Sequence, residues 1–368
     1  MEFTVSTKPL LNALNLGVIN SNISSFHQKS TMAQLCATDT ELTINLESDC
    51  IITELTLKGS GTQPQSESMF IDCLKFKQLV NTLDNDVTTL EFNESGIIVH
   101  SGKSKFTLPK MLDQEDMSFN KPVKEVATGR VVNINKDNWK FIQDHQMYCI
   151  SVAYIHPAYT YVYIGENGDT IVGDFDHSIF THSMKNQLGK TCLLSDTIIN
   201  MFNTLPEGTT LVDMGSDYLV SLDTDAFKLR TQFTPKYEDD PDVGSYNSDI
   251  IMHTLSPNKD SYITVDRSAL SKFLTQSDLL SSSTDSIIKL QVSNGIFTLV
   301  DDSVDCKVAV KGDTNLNFSC DFKGIQLKSL ISNMDGDIIN INPVISDDEV
   351  SGIIVWTDTM EAMLAGVE

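Results

Sequence analysis

The sequence predicts an α+β fold of three similar domains in tandem, each with two helices packed on mostly antiparallel sheets. Three observations carry that reading. A strand–helix unit recurs three times at long spacing. A helix that runs through polar turn residues into strands recurs once in each third of the chain. The 368 residues suffice for two or three domains with cores of their own, without a disulfide or metal staple.

The first unit opens at Phe3-Thr4-Val5-Ser6 leading to Leu10. It returns at Val132-Asn133-Ile134-Asn135 leading to Trp139, and at Ile263-Thr264-Val265-Asp266 leading to Leu270. Alternating apolar and polar residues suit a half-buried strand. Ser6, Asn135 and Asp266 follow as caps whose oxygens can accept from the free N–H groups of a helix start. The unit starts lie 129 and 131 residues apart. The second unit is a helix over 70–83, the turn Asp84-Asn85-Asp86 and a strand over 87–92. It recurs as 194–205, Pro206-Glu207-Gly208 and 209–212, and as 322–334, Asp335-Gly336-Asp337 and 338–341. Short β-branched runs separated by turn residues read as strands. Polar, Pro-containing stretches near Asn120-Lys121-Pro122 and over 236–244 are the expected linkers, giving domains 1–120, 121–245 and 246–368.

Composition narrows the function classes. Hydrophobic residues make up 40% and charged residues 21%, which is globular rather than disordered. No apolar run approaches the roughly 18–20 residues of a membrane helix. The start Met1-Glu2-Phe3-Thr4-Val5 lacks the features of a signal peptide, so the expectation is a cytoplasmic protein with no membrane partner. Cys36, Cys50, Cys73, Cys149, Cys192, Cys306 and Cys320 are scattered singly, which reads as reduced thiols rather than a disulfide framework or zinc ribbon. The net charge is −24, spread as −7, −7 and −10 over the three thirds. Taken alone, this opposes nucleic acid as a partner, although a local basic surface can coexist with an acidic exterior. With Arg130, Arg230 and Arg267 the only arginines, sequence-specific base readout is disfavoured.

Catalytic signals are weak. Gly189-Lys190-Thr191 ends like a P-loop, but Met184 stands where its first Gly belongs. Asp174, Asp176, His177 and His182 have poor spacing for one metal site. Glu238-Asp239-Asp240 and Asp347-Asp348-Glu349 read as solvated loops and fit no calcium loop. The expectation is a non-enzyme without cofactor or metal. The helices carry more. Lys8, Lys140 and Lys272 recur in the first-type helices, with Arg267 at one start, and Lys75, Lys77, Lys323 and Lys328 in the second type. Ordinary solvated helix faces account for this, and so does one lysine-bearing surface facing phosphate. Lysine, a flexible point charge, binds phosphate without fixing geometry.

These residues resemble the bacterial-type DNA sliding clamp, the beta subunit of replicative polymerase. The likeness rests on the opening Met1-Glu2-Phe3-Thr4-Val5 with Leu10-Leu11-Asn12-Ala13-Leu14, on Asp39 after Ala37-Thr38, on Ser101-Gly102-Lys103-Ser104-Lys105-Phe106-Thr107-Leu108-Pro109, and on 263–280 and 318–330. It spans nearly the whole chain, and order and spacing carry it. The resemblance implies a head-to-tail homodimer closing a ring around double-stranded DNA, with helices lining the hole. It implies a joint of Phe106 and Leu108 against the partner's Leu279 and Leu280. It places His27, Lys29, His156 and Tyr159 at loop positions that touch DNA, packing being the other reading of Tyr159. It further implies DNA polymerase and a clamp loader as partners, docking by short peptides at a pocket between the second and third domains. His177 and Ile179 match one wall of that pocket, and Pro241 and Val243 the linker side.

The chain departs from the family pattern there. Asp176 and Ser178 flank the His, and the usual Met-Pro-Met-Arg ending is replaced by Val355-Trp356-Thr357-Asp358-Thr359-Met360 and a tail to Glu368. Trp356 and Met360 are the expected apolar replacements. Such divergence suits a phage or mobile-element clamp with its own polymerase. Two alternatives stand beside the ring: a monomeric clamp-fold factor holding DNA on one lysine-bearing face, and a hydrolase or structural repeat protein.

Overall fold

Three of the five described helices start at a side-chain cap, while Lys323, before the helix Gly324–Asn333, makes no such bond. Asp266 Oδ1 accepts from the backbone N–H of Ser268 at 2.8 Å and of Ala269 at 3.2 Å, and from the Ser268 hydroxyl at 2.6 Å. These donors have no acceptor inside the helix. The Ser268 hydroxyl, then the two backbone groups, hold the Asp266 carboxyl below the usual carboxylate range. Asp72 Oδ1 accepts from Lys75 N at 3.0 Å, and Ser195 Oγ from Ile198 N at 3.4 Å.

The computed structural model describes residues 1–17, 32–47, 50–63, 66–111, 119–123, 129–132, 161–174, 178–183, 188–239, 248, 255–280, 286–301, 305–309, 311–312, 315–346 and 348–367. The first third runs β1 (Glu2–Ser6), α1 (Thr7–Gly17), β2 (Met32–Ala37), β3 (Glu41–Glu47), β4 (Ile51–Lys58), β5 (Ser60–Gly61), β6 (Glu67–Asp72), α2 (Cys73–Asn81), β7 (Val87–Asn93), β8 (Gly96–Ser101) and β9 (Ser104–Pro109). The middle third has β10 (Arg130–Val132), β11 (Tyr161–Ile164), β12 (Asp169–Asp174), β13 (Ser178–Ser183), β14 (Cys192–Ser195), α3 (Asp196–Thr204), β15 (Thr210–Asp213), β16 (Tyr218–Asp223) and β17 (Phe227–Phe233). The last third has β18 (Ile263–Asp266), α4 (Arg267–Leu280), β19 (Ile287–Ser293), β20 (Ile296–Val300), β21 (Asp305–Ala309), β22 (Lys311–Gly312), β23 (Phe318–Lys323), α5 (Gly324–Asn333), β24 (Ile338–Ser346), β25 (Glu349–Trp356) and β26 (Met360–Ala365).

In the first and last thirds the alternation of strand, helix, strands, helix, strands is the predicted one; the first helix expected in the middle third, leading to Trp139, lies outside the described residues. The second-type helices start later than expected. Phe70, Leu194 and Phe322 belong to strands β6, β14 and β23, which run without a loop into α2, α3 and α5. A short apolar run has no period that separates strand from helix. The cap at Asp72 or Ser195 makes the switch.

The chain packs as two units, Met1–Trp139 with Ser195–Pro235, and Lys140–Leu194 with Lys236–Glu368. The middle third is therefore shared between them. In the first unit one sheet has the order β5-β1-β7-β8-β9 and another β10-β15-β16-β17-β4-β3-β2-β6. In the second the orders are β14-β11-β12-β13-β26-β25-β24-β18-β22 and β21-β20-β19-β23. The paired strands are antiparallel. Two pairs join thirds of the chain. β17 pairs with β4 from Phe227↔Leu57 to Phe233↔Ile51, and β26 pairs with β13 from Met360↔His182 to Leu364↔Ser178. Linker residues contact three strands of the sheet that holds the first join: Phe119 stacks on Phe70 of β6 with ring centroids 5.4 Å apart, Asn120 Nδ2 donates to Glu47 Oε1 of β3 at 3.0 Å, and Val123 N donates to Gln232 Oε1 of β17 at 3.2 Å.

The helices cover the apolar sheet faces. α1 packs on α2 and β4 in the first unit, and α4 packs on α5 in the second. Leu10, Leu14, Leu55, Leu57 and Phe76 are fully buried in the first unit. Leu270, Phe273, Leu290, Phe297, Phe322 and Leu330 are among the core residues of the second. Each fully buried Leu or Phe contributes about 1.5–3 kcal/mol relative to exposure, so these layers hold the helices in place.

Candidate nucleic-acid interface

The exposed side of α1, α2 and α4 carries few charges, and those described are positive. On α1 the exposed stripe is Lys8, Asn12 and Asn15. On α2 it is Lys75, Gln78 and Asn81, and on α4 it is Ser268, Lys272, Thr275 and Gln276. Across the five described helices the basic residues are Lys8, Lys75, Lys77, Arg267, Lys272 and Lys328. The acidic ones are Asp196 and Asp278 alone, with no Glu. In a chain with 50 acidic residues, that is a segregation of charge. Asn takes places that Glu would ordinarily fill: Asn12, Asn15, Asn81, Asn200, Asn203 and Asn333. Each Asn costs on the order of 0.5 kcal/mol in helix propensity, so helix formation does not explain the choice.

The candidate lysines differ in freedom. Lys8, Lys75, Lys272 and Lys323 are exposed, and Lys77 and Lys328 are half-buried. Lys75 Nζ lies 3.4 Å from Asp72 Oδ2, a surface pair worth little. Arg267 Nη1 donates to Met334 O at 2.9 Å, which ties the start of α4 to the end of α5. That use is a structural one sequence reasoning missed, because it depends on two helices packing at a distance in the chain. His27, Lys29, Lys140, His156 and Tyr159 lie outside the described residues.

Of the joint residues, Phe106 is 39% exposed on β9, Leu279 is 78% exposed near the end of α4, and Leu108 is buried. Leu280 ends α4, and its side chain lies outside what is described. Of the pocket residues, His177, Pro241 and Val243 lie outside the described residues, and Ile179 is in β13. Trp356 and Met360 are both buried. Trp356 meets Tyr262 with ring centroids 5.2 Å apart, and Met360 is part of the core of the second unit. Neither forms an open wall, because Met360 follows the alternation of β26 inward. The register instead sets Met363 across from Ile179 and Ile354, on the face of β26 opposite Met360. Period-2 alternation from Met360 was the signal that could have found it.

The other sequence candidates fall only partly among the described residues. Gly189-Lys190-Thr191 leads into strand β14 rather than a helix, so no helix N-terminus receives a phosphate there. Among the described residues no group of His, Cys, Asp or Glu could hold a metal ion. Asp174 is in β12, and Asp176 lies outside the described residues. No described helix is long and apolar enough to cross a membrane.

No family model and no curated protein sequence matches the chain. Solved structures do. The DNA polymerase III beta subunit of Thermotoga maritima matches with a TM-score of 0.74 at 13% identity, covering 100% of this chain and 99% of that one. The beta subunit of Pseudomonas aeruginosa matches at 0.73 and 16% over 100% of both chains. The Helicobacter pylori beta clamp, solved bound to a DNA ligase peptide, matches at 0.68 and 13% over 100% of both. The chain has the fold of these bacterial-type DNA sliding clamps over its full length.

Proposed function

We propose that the protein is a DNA sliding clamp, a non-catalytic processivity factor that encircles duplex DNA and moves on it without sequence preference. The charge segregation carries this reading: in a strongly acidic chain, the helix faces are lysine- and amide-bearing and nearly free of acid. An acidic face would repel DNA. An amide face can donate to phosphate oxygens without holding one register. With domains 1–120, 121–245 and 246–368 in each of two chains, a head-to-tail ring retains DNA by topology, so its contacts can stay weak. Replicative polymerase, a clamp loader and other partners would dock by short peptides near Ile179 and Met363. The peptide-bound Helicobacter pylori structure supports that mode of docking for this fold.

Light scattering tests the ring first. A mass near twice the 40.8 kDa chain is the expected result. Clamp loaded on nicked circular DNA should then stay bound through a high-salt wash and be lost once the circle is cut. A concentration-independent monomer that binds linear and circular DNA alike would replace this reading with the one-faced factor.

A further inference from the structure

We propose that the first unit holds a peptide-docking site of its own, in the corner where the end of α1 meets the turn after α3 and the β16–β17 hairpin. Its ligand is a short segment with bulky apolar side chains followed by basic ones. The corner encloses a pocket of about 370 Å³, a size in the range that bound ligands fill. Leu16, Leu222 and Phe227 form its floor, and Asn12, Asn15 and Glu207 its rim. All six lie inside the first unit. The site is distinct from the face at Ile179 and Met363, which belongs to the second unit, and it stands whether or not the chain closes a ring.

The walls are held by local hydrogen bonds. Thr224 Oγ1 donates to Phe227 O at 2.8 Å and accepts from Phe227 N at 3.0 Å, which clasps the hairpin with Phe227 at the floor. Thr209 Oγ1 donates to Pro206 O at 2.7 Å and holds the turn that carries Glu207. Gly208, next in that turn, has a φ of +86°, in the left-handed region that favours glycine. Walls fixed in this way stand before a ligand arrives, so binding loses little to ordering.

The repeat shows what is unusual here. In the last third Thr357 Oγ1 accepts from Met360 N at 3.2 Å, so Thr357 is the counterpart of Thr224 and Met360 of Phe227. There Asp335, in the turn that matches Pro206-Glu207-Gly208, accepts from both the Thr357 and the Thr359 hydroxyl. In the middle third Ala226 stands where Thr359 does, and the Thr224 hydroxyl is taken by Phe227 O. The side chains of Glu207, Asn12 and Asn15 have no hydrogen-bond partner among the described residues. An unpaired carboxylate thus overlooks an apolar floor, and no basic residue lines the pocket. Asp225 adds a second negative charge in the hairpin, while Asp223 is met by Lys228 Nζ at 3.4 Å. Such a lip favours ammonium or guanidinium over phosphate. A side-chain amide presents a donor and an acceptor together, as a peptide bond does, so Asn12 and Asn15 suit a main chain lying across the mouth. Apolar side chains on the floor, basic ones at Glu207 and a main chain between them define the ligand.

Fluorescence anisotropy of a labelled peptide, Gly-Leu-Leu-Lys-Lys-Gly, on the full chain tests the site. It should bind saturably, whereas Gly-Leu-Leu-Glu-Glu-Gly and Gly-Ser-Ser-Lys-Lys-Gly should not. Glu207→Lys should weaken binding by about tenfold, because it sets like charge against the peptide. Asn15→Trp, which fills the mouth from an exposed position, should weaken it too. Glu94→Lys makes the same change of charge in the exposed β7–β8 turn and should leave Kd at the parent's value, as should Met363→Ala on the other docking face. Binding unchanged in Glu207→Lys and Asn15→Trp would overturn the site, as would the absence of saturable binding. An equal loss in Glu94→Lys would reduce the effect to bulk charge, and a loss in Met363→Ala would move the peptide to the Ile179 face; either result also overturns it. None of these outcomes touches the clamp reading, which light scattering and retention on circular DNA decide separately.

Discussion

At the scale of the residue, burial and caps set measurable chemistry. Burial pushes the Cys73 and Cys192 thiols up to about 12, so both stay protonated at neutral pH, and the thiolate is the reactive form. Titration of the native protein with a thiol reagent at pH 8 should leave these two unmodified until denaturant is added; fast modification of either would refute the packing around it. Asp266 has its pKa lowered by its three cap bonds. A depressed carboxylate adds stability above the ordinary aspartate range and loses it as pH falls through the folded value. Asp266→Ala should therefore lower Tm near neutral pH, and its Tm should converge on the parent's as acid protonates the cap. An equal deficit at every pH would remove the cap as the cause. Asp266 was legible in the sequence because a polar cap followed an alternating strand. Asp72 and Ser195 were not, because each follows an apolar run that suits strand and helix equally.

At the scale of the element, the strands were legible and the joins between them were not. Turn residues and β-branched runs marked β1 and β7 in the first third and β18 and β24 in the last. Nothing local marks β4 as the neighbour of β17, whose pairing partners lie 170 to 182 residues apart. The join is visible only in three dimensions, where Thr53 and Thr231 share a buried hydroxyl–hydroxyl bond of 3.1 Å. A buried hydroxyl left without its partner costs about 1–3 kcal/mol, whereas replacing both partners with apolar groups is nearly neutral. Thr53→Val, which takes the partner of the buried Thr231 hydroxyl, should destabilise the protein in denaturant unfolding, and adding Thr231→Val should recover part of the loss. Additive losses would show that the two hydroxyls do not depend on each other. The same logic explains the pocket residues. Trp356 and Met360 looked available because composition names apolar side chains, but only the register of β26 decides that Met360 turns inward and Met363 outward.

At the scale of the whole molecule, function rests on where charge is absent. The net charge of −24 would forbid DNA if it were spread evenly in space as it is along the chain. Of the five described helices, α1, α2, α4 and α5 keep one or two lysines each and α3 has none, while Asn stands in all but α4; under the clamp reading an anionic neighbour makes this cost in helix propensity useful. The number of lysines then predicts how binding responds to salt. Each lysine that neutralises a phosphate adds about 0.9 to the slope of log affinity against log salt on duplex DNA. Lys8→Ala, Lys75→Ala and Lys272→Ala should each flatten that slope, in fluorescence anisotropy on a short duplex, by an amount near that value for every phosphate contact removed. Asn12→Lys, one turn beyond Lys8, should steepen the slope and tighten binding. It should also slow diffusion along DNA in single-molecule tracking, because a stronger electrostatic hold deepens the wells between phosphates. If Asn12→Lys left both affinity and diffusion unchanged, α1 would not face the duplex, and the acid-free helix faces would need another anion to explain them.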